Sequence, residues 1–192
     1  KHDIDLTAML PIPTHNEHDS GAYITAGLMI CRNPRTGIQN VAIHRLQVSG
    51  PRELGALLLP RHTLSFFTTA EEVPAQSEIV IEGRCRANLR RPEGPFGEFP
   101  QYYGERADRH VIEVSCVTTR QKPLFHTIVG GGLEHLILGG IPREATILKT
   151  LQDMFSCVRD VHLAPGGTCR YHLYVKIKAR HAGEAKNVLL GA

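Results

Sequence analysis

The pattern of hydrophobic and polar positions divides the chain into two stretches of different rhythm. From Gly21 to Arg32 aliphatic residues run together with Tyr23 and Thr25 in the manner of a β-strand, and Asn40 to Val48 returns as a second strand. Asn33-Pro34-Arg35-Thr36-Gly37 between them has turn composition, so the segment predicts a β-hairpin with a five-residue connection. Leu54 to Leu59, Glu78 to Glu82, Arg109 to Thr119 and Leu124 to Val129 follow as short apolar or β-branched runs. Residues 1–20 read as polar and turn-rich, with Pro11, Pro13, Asn16 and Asp19. The later rhythm is helical: Pro142 to Phe155 places Ile147, Leu148, Leu151 and Met154 at helical spacing, with Pro142 suited to the first turn. Val158 to Leu163 and Arg170 to Lys178 predict strands around the Pro165-Gly166-Gly167 turn, and Ala182 to Leu190 a helix that Gly191 caps. An all-β part is thus followed by an α/β part, and the Gly130-Gly131-Gly132 run near the change reads as a flexible linker.

Composition narrows the classes. At 192 residues and 42% hydrophobic, the chain is long enough for one domain with a real core or for pieces of two. A net charge of +3 without a basic block argues against a nucleic-acid partner. No apolar run approaches the roughly 18 residues of a membrane span, and no charged leader precedes an apolar stretch. Cys31, Cys85, Cys116, Cys157 and Cys169 are odd in number and widely spaced, which favours reduced thiols in a cytoplasmic protein over a disulfide framework.

Three segments carry candidate chemistry. In Arg91-Pro92-Glu93-Gly94-Pro95-Phe96-Gly97-Glu98, two carboxylates sit in a stretch that glycine and proline hold out of regular structure. Neighbouring carboxylates can push their proton affinities apart, so that one holds a proton while the other stays charged. A solvated surface turn would have the same composition. In Asn40-Val41-Ala42-Ile43-His44-Arg45, strand alternation puts Asn40, Ala42 and His44 on one face and Val41, Ile43 and Arg45 on the other. A guanidinium on an apolar face needs a carboxylate such as Glu93 or Glu98, unless an edge position lets it reach water. Asn40 and His62, the latter within Pro60-Arg61-His62, would need a carboxylate to complete a site for Mg2+ or Mn2+. A lone histidine is more often a simple hydrogen-bonded residue. The group His15, His18 and Asp19 is a weaker metal candidate, and the triple glycine lacks the spacing of a phosphate loop.

Taken in order, these segments resemble the UbiD family of decarboxylases, in particular its 3-octaprenyl-4-hydroxybenzoate and aromatic acid decarboxylase group. The resemblance is carried by Asp19-Ser20-Gly21-Ala22-Tyr23-Ile24-Thr25, by Thr36 to Arg45, by Val73-Pro74-Ala75-Gln76-Ser77-Glu78 with the residues to Gly83, by Pro92 to Glu98, and by Tyr171 to Gly191. It implies an α+β fold: a split β-barrel that binds the cofactor, over residues 1–125, followed by part of an α/β domain, over residues 126–192. It further implies reversible, non-oxidative decarboxylation of an aromatic or α,β-unsaturated acid with prenylated FMN. Arg45, Glu93 and Glu98 match the family's catalytic network, with Glu98 as proton donor. Asn40 and His62 match ligands of Mn2+ or Mg2+, and K+ accompanies the site. Thr25, Ala42, Ile43, His44, Arg45, Arg61 and His62 fall where the family meets the flavin. Expected partners are a small carboxylic acid, a UbiX-like flavin prenyltransferase as cofactor supplier, and further copies of the chain in a homodimer or larger oligomer. One departure stands out: the family has an additional stretch, with a third metal-binding Glu, where Thr68 here runs almost directly into Pro74. That departure keeps an inactive flavin-binding or assembly protein as the alternative.

Overall fold

The computed structural model describes residues 3–33, 35–58 and 73–192. By contact the chain forms two units, Lys1–Glu98 with Tyr102–Gly130, and Phe99–Gln101 with Gly131–Ala192.

The first unit opens with a short helix, α1 (Leu6–Met9), whose N-cap Asp5 accepts from the backbone N–H of Thr7 and Ala8. The turn-rich reading of residues 1–20 misses this helix and misses that Ile4, Leu6 and Leu10 are buried core residues. Nine strands follow: β1 (Tyr23–Ile24), β2 (Leu28–Arg32), β3 (Gln39–Ile43), β4 (Leu46–Gly50), β5 (Glu53–Ala56), β6 (Ile79–Glu93), β7 (Phe96–Gly97), β8 (Tyr103–Gly104) and β9 (Ala107–Thr119). Five of them form an antiparallel sheet in the order β1-β4-β5-β9-β6. Among the described residues no pairing closes this sheet into a barrel. Its core joins Ile24, Leu54, Val114 and Val117 to the buried residues around α1.

The predicted hairpin forms as β2 and β3, in the register Leu28↔Ile43 to Arg32↔Gln39. The expected single strands on either side of the turn do not. Gly21 to Arg32 divides into β1 and β2, and Asn40 to Val48 divides at His44-Arg45 into β3 and β4, which belong to different sheets. The expected facing is also reversed. Ala42, Met29 and Cys31 pack on buried Ala56 and Leu58, while Leu28, Val41 and Ile43 are exposed. Packing decides this: Ala42 is the residue small enough to approach the sheet. The Glu78–Glu82 run is the beginning of a strand of 15 residues, and Leu124 to Val129 forms no strand.

The second unit packs the helix α2 (Leu133–Met154) on the hairpin β10 (Val158–Leu163) and β11 (Leu173–Ile177), with a 3-10 turn at Pro165–Gly167 and a last helix, α3 (Glu184–Gly191). Leu151, Val158, Val161 and Val188 form its core. Pro142, expected in a first turn, lies inside α2, which starts nine residues earlier at Leu133.

Candidate active site

Residues 94–106 form the tip joining the two longest strands, β6 and β9, with β7 and β8 pairing inside it. Glu93 ends β6 opposite Ala107 and so has a fixed register. Gly94 then turns the chain at φ +89, where a Cβ would stand 3.0 Å from the Glu105 carbonyl oxygen, so glycine is required. The tip is held from below. Gln47 Oε1 accepts the Gly94 N–H at 3.1 Å and the Tyr23 hydroxyl at 3.2 Å. Burial pushes the Tyr23 phenol up to about 12, so it remains a donor. The Tyr23 and Phe96 rings lie 4.5 Å apart.

Arg45 occupies the break between β3 and β4 and reaches two carboxylates. Its Nε and Nη2 donate to Glu93 Oε1 and Oε2 at 3.1 and 3.2 Å, a two-pronged pair. Its Nη1 pairs with Glu98 Oε1. The guanidinium also lies 5.1 Å from the centre of the Phe96 ring. The two carboxylates differ in access: the Glu93 side chain is 1% exposed and that of Glu98 29%. Glu93 is therefore the buried anchor of the cation, and Glu98 is the one acid of the three-residue group that a ligand can reach. Gly55 makes room for Glu93, whose Cγ would lie 3.4 Å from a Cβ there.

A second clamp acts on the backbone just before Glu98, and sequence reasoning did not assign it. Asp19 Oδ1 accepts the Gly97 N–H at 2.8 Å, while Asp19 Oδ2 accepts the Asn16 N–H at 2.9 Å. A Cβ on Gly97 would meet Asn16 Nδ2 at 2.4 Å, and a Cβ on Gly130 would meet the Gly97 carbonyl oxygen at 2.1 Å. The turn singled out as a weak metal candidate therefore holds a loop instead, with Asp19 as its anchor. His15 Nε2 meets Thr127 Oγ1 at 2.6 Å, and Thr25 Oγ1 accepts the Ile128 N–H at 2.8 Å. An Asx-type acceptor spaced three from an amide donor was the signal available for this turn.

The remaining expected site residues scatter. Thr25 is buried and its hydroxyl is engaged by Ile128 and Thr127. Ala42 packs inward, Ile43 is exposed, and His44 and Asn40 are half-buried at and just beyond β3. Arg61 and His62 lie outside the described residues, as does most of the stretch from Thr68 to Pro74. Among the described residues no three His, Cys, Asp or Glu side chains gather in a group fit for a metal ion. No helix among them is long and apolar enough to cross a membrane. All five cysteines are free thiols.

The comparisons agree with one another. The curated relatives include anhydromevalonate phosphate decarboxylase from Methanothermobacter thermautotrophicus, 30% identical over 236 residues that take in 95% of this chain and 56% of the relative. The enzyme of that name from Methanosarcina mazei is 30% identical over 242 residues, 99% of this chain and 56% of its own. The chain thus spans about half the length of these relatives. Among solved structures, the UbiD-class enzyme HmfF from Pelotomaculum thermopropionicum in complex with FMN is 42% identical with a TM-score of 0.93, covering 98% of this chain and 55% of that one. An evolved dimeric form of HmfF in complex with prFMN gives 42% and 0.92, covering 98% and 57%. The apo 3,4-dihydroxybenzoic acid decarboxylase AroY of Klebsiella pneumoniae, at 24% identity and TM-score 0.87 over 98% of this chain and 53% of its own, shares the fold. The 3-octaprenyl-4-hydroxybenzoate carboxy-lyase Rift-related domain matches residues 1–72 and 63–133, and the C-terminal domain of the same carboxy-lyase matches 136–192. With nearly every residue accounted for by those two domains in their order, the chain belongs to the UbiD family.

Proposed function

We propose that this chain carries the acid network of a decarboxylase that acts on an aromatic or α,β-unsaturated carboxylic acid with prenylated FMN. The observation that carries this reading is the placement of Arg45 between a buried and an accessible carboxylate. A group that only binds a flavin has no need for a reachable acid held by a guanidinium. In this reading Glu98 gives a proton to the carbon that CO2 leaves, Arg45 fixes its carboxyl group in place, and Glu93 fixes Arg45. The flavin, when bound, supplies the electron sink for the carbanion. The exposed apolar strip of Leu28, Val41 and Ile43, ending next to His44 and Arg45, fits a flat and largely apolar ring. The neighbours' FMN and prFMN complexes support this cofactor.

Asn40 and His62 would hold Mn2+ or Mg2+ next to the flavin phosphate, with K+ nearby. The chain would work as a homodimer or larger oligomer, supplied by a flavin prenyltransferase. The split barrel and the division at residues 125 and 126 belong to this proposal.

One observation favours a second reading. The aligned span of 236 residues in the methanogen relative exceeds the 192 residues of this chain by 44, and the Rift-related domain matches in two pieces that overlap at 63–72. The relatives thus have sequence that this chain lacks, which fits a family member that binds flavin or assists assembly without turnover. Co-production with a flavin prenyltransferase, followed by absorbance spectra and CO2 release from aromatic, heteroaromatic and acrylic acids, separates the two. Flavin with turnover supports the decarboxylase. Flavin without turnover across the panel supports the non-catalytic member.

A further inference from the structure

The second unit contains a cationic cluster that the acid network does not use. His135, Gly139 and Arg143 are four residues apart on α2 and so share one face of the helix. Arg170, from the loop between β10 and β11, lies on that face. A Cβ on Gly139 would be 2.2 Å from Arg170 Nη2, so glycine at this position is what admits the guanidinium. The other face of the guanidinium is covered by Phe99, whose ring centre is 3.8 Å from Arg170 Cζ. His135 meets the edge of the same ring at 6.2 Å. The approach to Arg170 uses Thr168 and Cys169, two successive non-glycine residues at φ 53, a costly backbone that only a well-determined surrounding maintains.

The charges in this cluster are not balanced. Among the described residues no carboxylate pairs with Arg143 or Arg170, and the one hydrogen bond of the Arg170 guanidinium goes to the Thr168 carbonyl oxygen at 3.1 Å. Burial first, and then the like charge of Arg143, hold Arg170 below its ordinary proton affinity. The Gly131 N–H donates to His135 Nδ1 at 3.2 Å. Burial and Arg170 favour the neutral ring, which then carries its proton on Nε2 as a donor. Two guanidiniums and an imidazole N–H present donors in one place without an acceptor.

We propose that His135, Arg143 and Arg170, arranged around Gly139 and under Phe99, form an oxyanion-binding cradle for a carboxylate or phosphate group of a small acid. Planar guanidinium forks match both groups in two-pronged geometry. Phe99 is joined to Glu98 by one peptide bond, so the cradle shares a chain segment with the proposed proton donor. The inference rests on the decarboxylase reading only in naming the bearer of that group: a substrate with a second acidic function besides the carboxylate that leaves.

Calorimetric titration of the full chain tests the cradle without turnover, using benzene-1,4-dicarboxylate, benzoate and inorganic phosphate as probes. The dicarboxylate or the phosphate is expected to bind at least about tenfold more tightly than benzoate, the scale of one charge-assisted hydrogen bond. Arg143→Gln and Arg170→Gln should each bring that preference within about twofold of unity. Preference for the dicarboxylate assigns a carboxylate, and preference for phosphate a phosphate ester. Arg143 is exposed and its replacement leaves the core untouched, so this variant decides the matter if Arg170→Gln does not fold. Equal binding of all three probes to the parent chain overturns the proposal, as does a preference that survives in Arg143→Gln. An acid panel without CO2 release, alongside an arginine-dependent preference, would remove the decarboxylase reading and leave the cradle standing.

Discussion

Arg45 shows how one residue sets the cost of a site. Glu93 is nearly inaccessible and its two oxygens are spent on that single guanidinium. Arg45→Met would leave a buried carboxylate without its cation, and breaking such a pair costs about 3–5 kcal/mol. Urea denaturation is expected to show a loss of that order, and the double variant Arg45→Met/Glu93→Gln should recover a large part of it. A loss under about 1 kcal/mol in the single variant would mean that water reaches Glu93 and that the anchor role is wrong. Glu98 behaves differently because it is partly open. Glu98→Gln keeps the shape of the side chain and removes the exchangeable proton, so stability should hold while CO2 release falls by about two orders of magnitude or more. Turnover within a few fold of the parent enzyme would take the proton-donor role away from Glu98. The Arg-carboxylate contact was legible in the sequence, because a charge beside Val and Ile demands a partner. The face on which Arg45 lies was not, because the strand alternation used to place it breaks at His44.

At the scale of elements, α2 is the clearest case of packing overriding local preference. Gly139, Gly140 and Pro142 all argue for a helix that starts later, and the spacing of Ile147, Leu148 and Leu151 recovered only its second half. The glycines are there because Arg170 and Cys169 press on the helix: a Cβ on Gly140 would stand 2.9 Å from that of Cys169. No local signal announces such a neighbour. Pro142 leaves the Leu138 carbonyl without its helical donor. It is exposed, so Pro142→Ala should restore the bond and raise the thermal midpoint, by up to about 3 kcal/mol on the propensity scale. A lowered midpoint in differential scanning calorimetry would show that the proline performs a packing task.

For the whole molecule, the hairpin β2–β3, the strand β9 and the β10–β11 pair follow the periodicities of the sequence. The helix α1 and the sheet order depended on long-range packing that no local window contains. Burial is the first cause that lowers the proton affinity of His15, His110 and His135. Their native values lie below the unfolded value of about 6.5, so the unfolded chain takes up protons first as the pH falls. The stability from these neutral rings is full above about pH 6.5 and is lost as the pH drops through the native values. The urea midpoint should therefore be level from pH 7 to 8 and decline below 6.5, less steeply in His15→Gln. A midpoint that rises on acidification through this window would contradict the assignment.

The strand order β1-β4-β5-β9-β6 also bears on the route by which the chain reaches this state. Partners in the first unit are far apart in the sequence: 48 positions separate Arg45 from Glu93, and 112 separate His15 from Thr127. In the second unit, β10 and β11 are adjacent strands and α2 directly precedes them. Closing long loops before any contact rewards them slows folding, whereas local pairings form early. Pulse-labelled hydrogen exchange during refolding should therefore find amides of β10, β11 and α2 protected before those of β5 and β9. The Arg45–Glu93 contact, which spans β4 and the end of β6, would then be among the last to form. Until it does, the nascent protein carries an ionised glutamate with no cation at its side, in a sheet whose strands await one another.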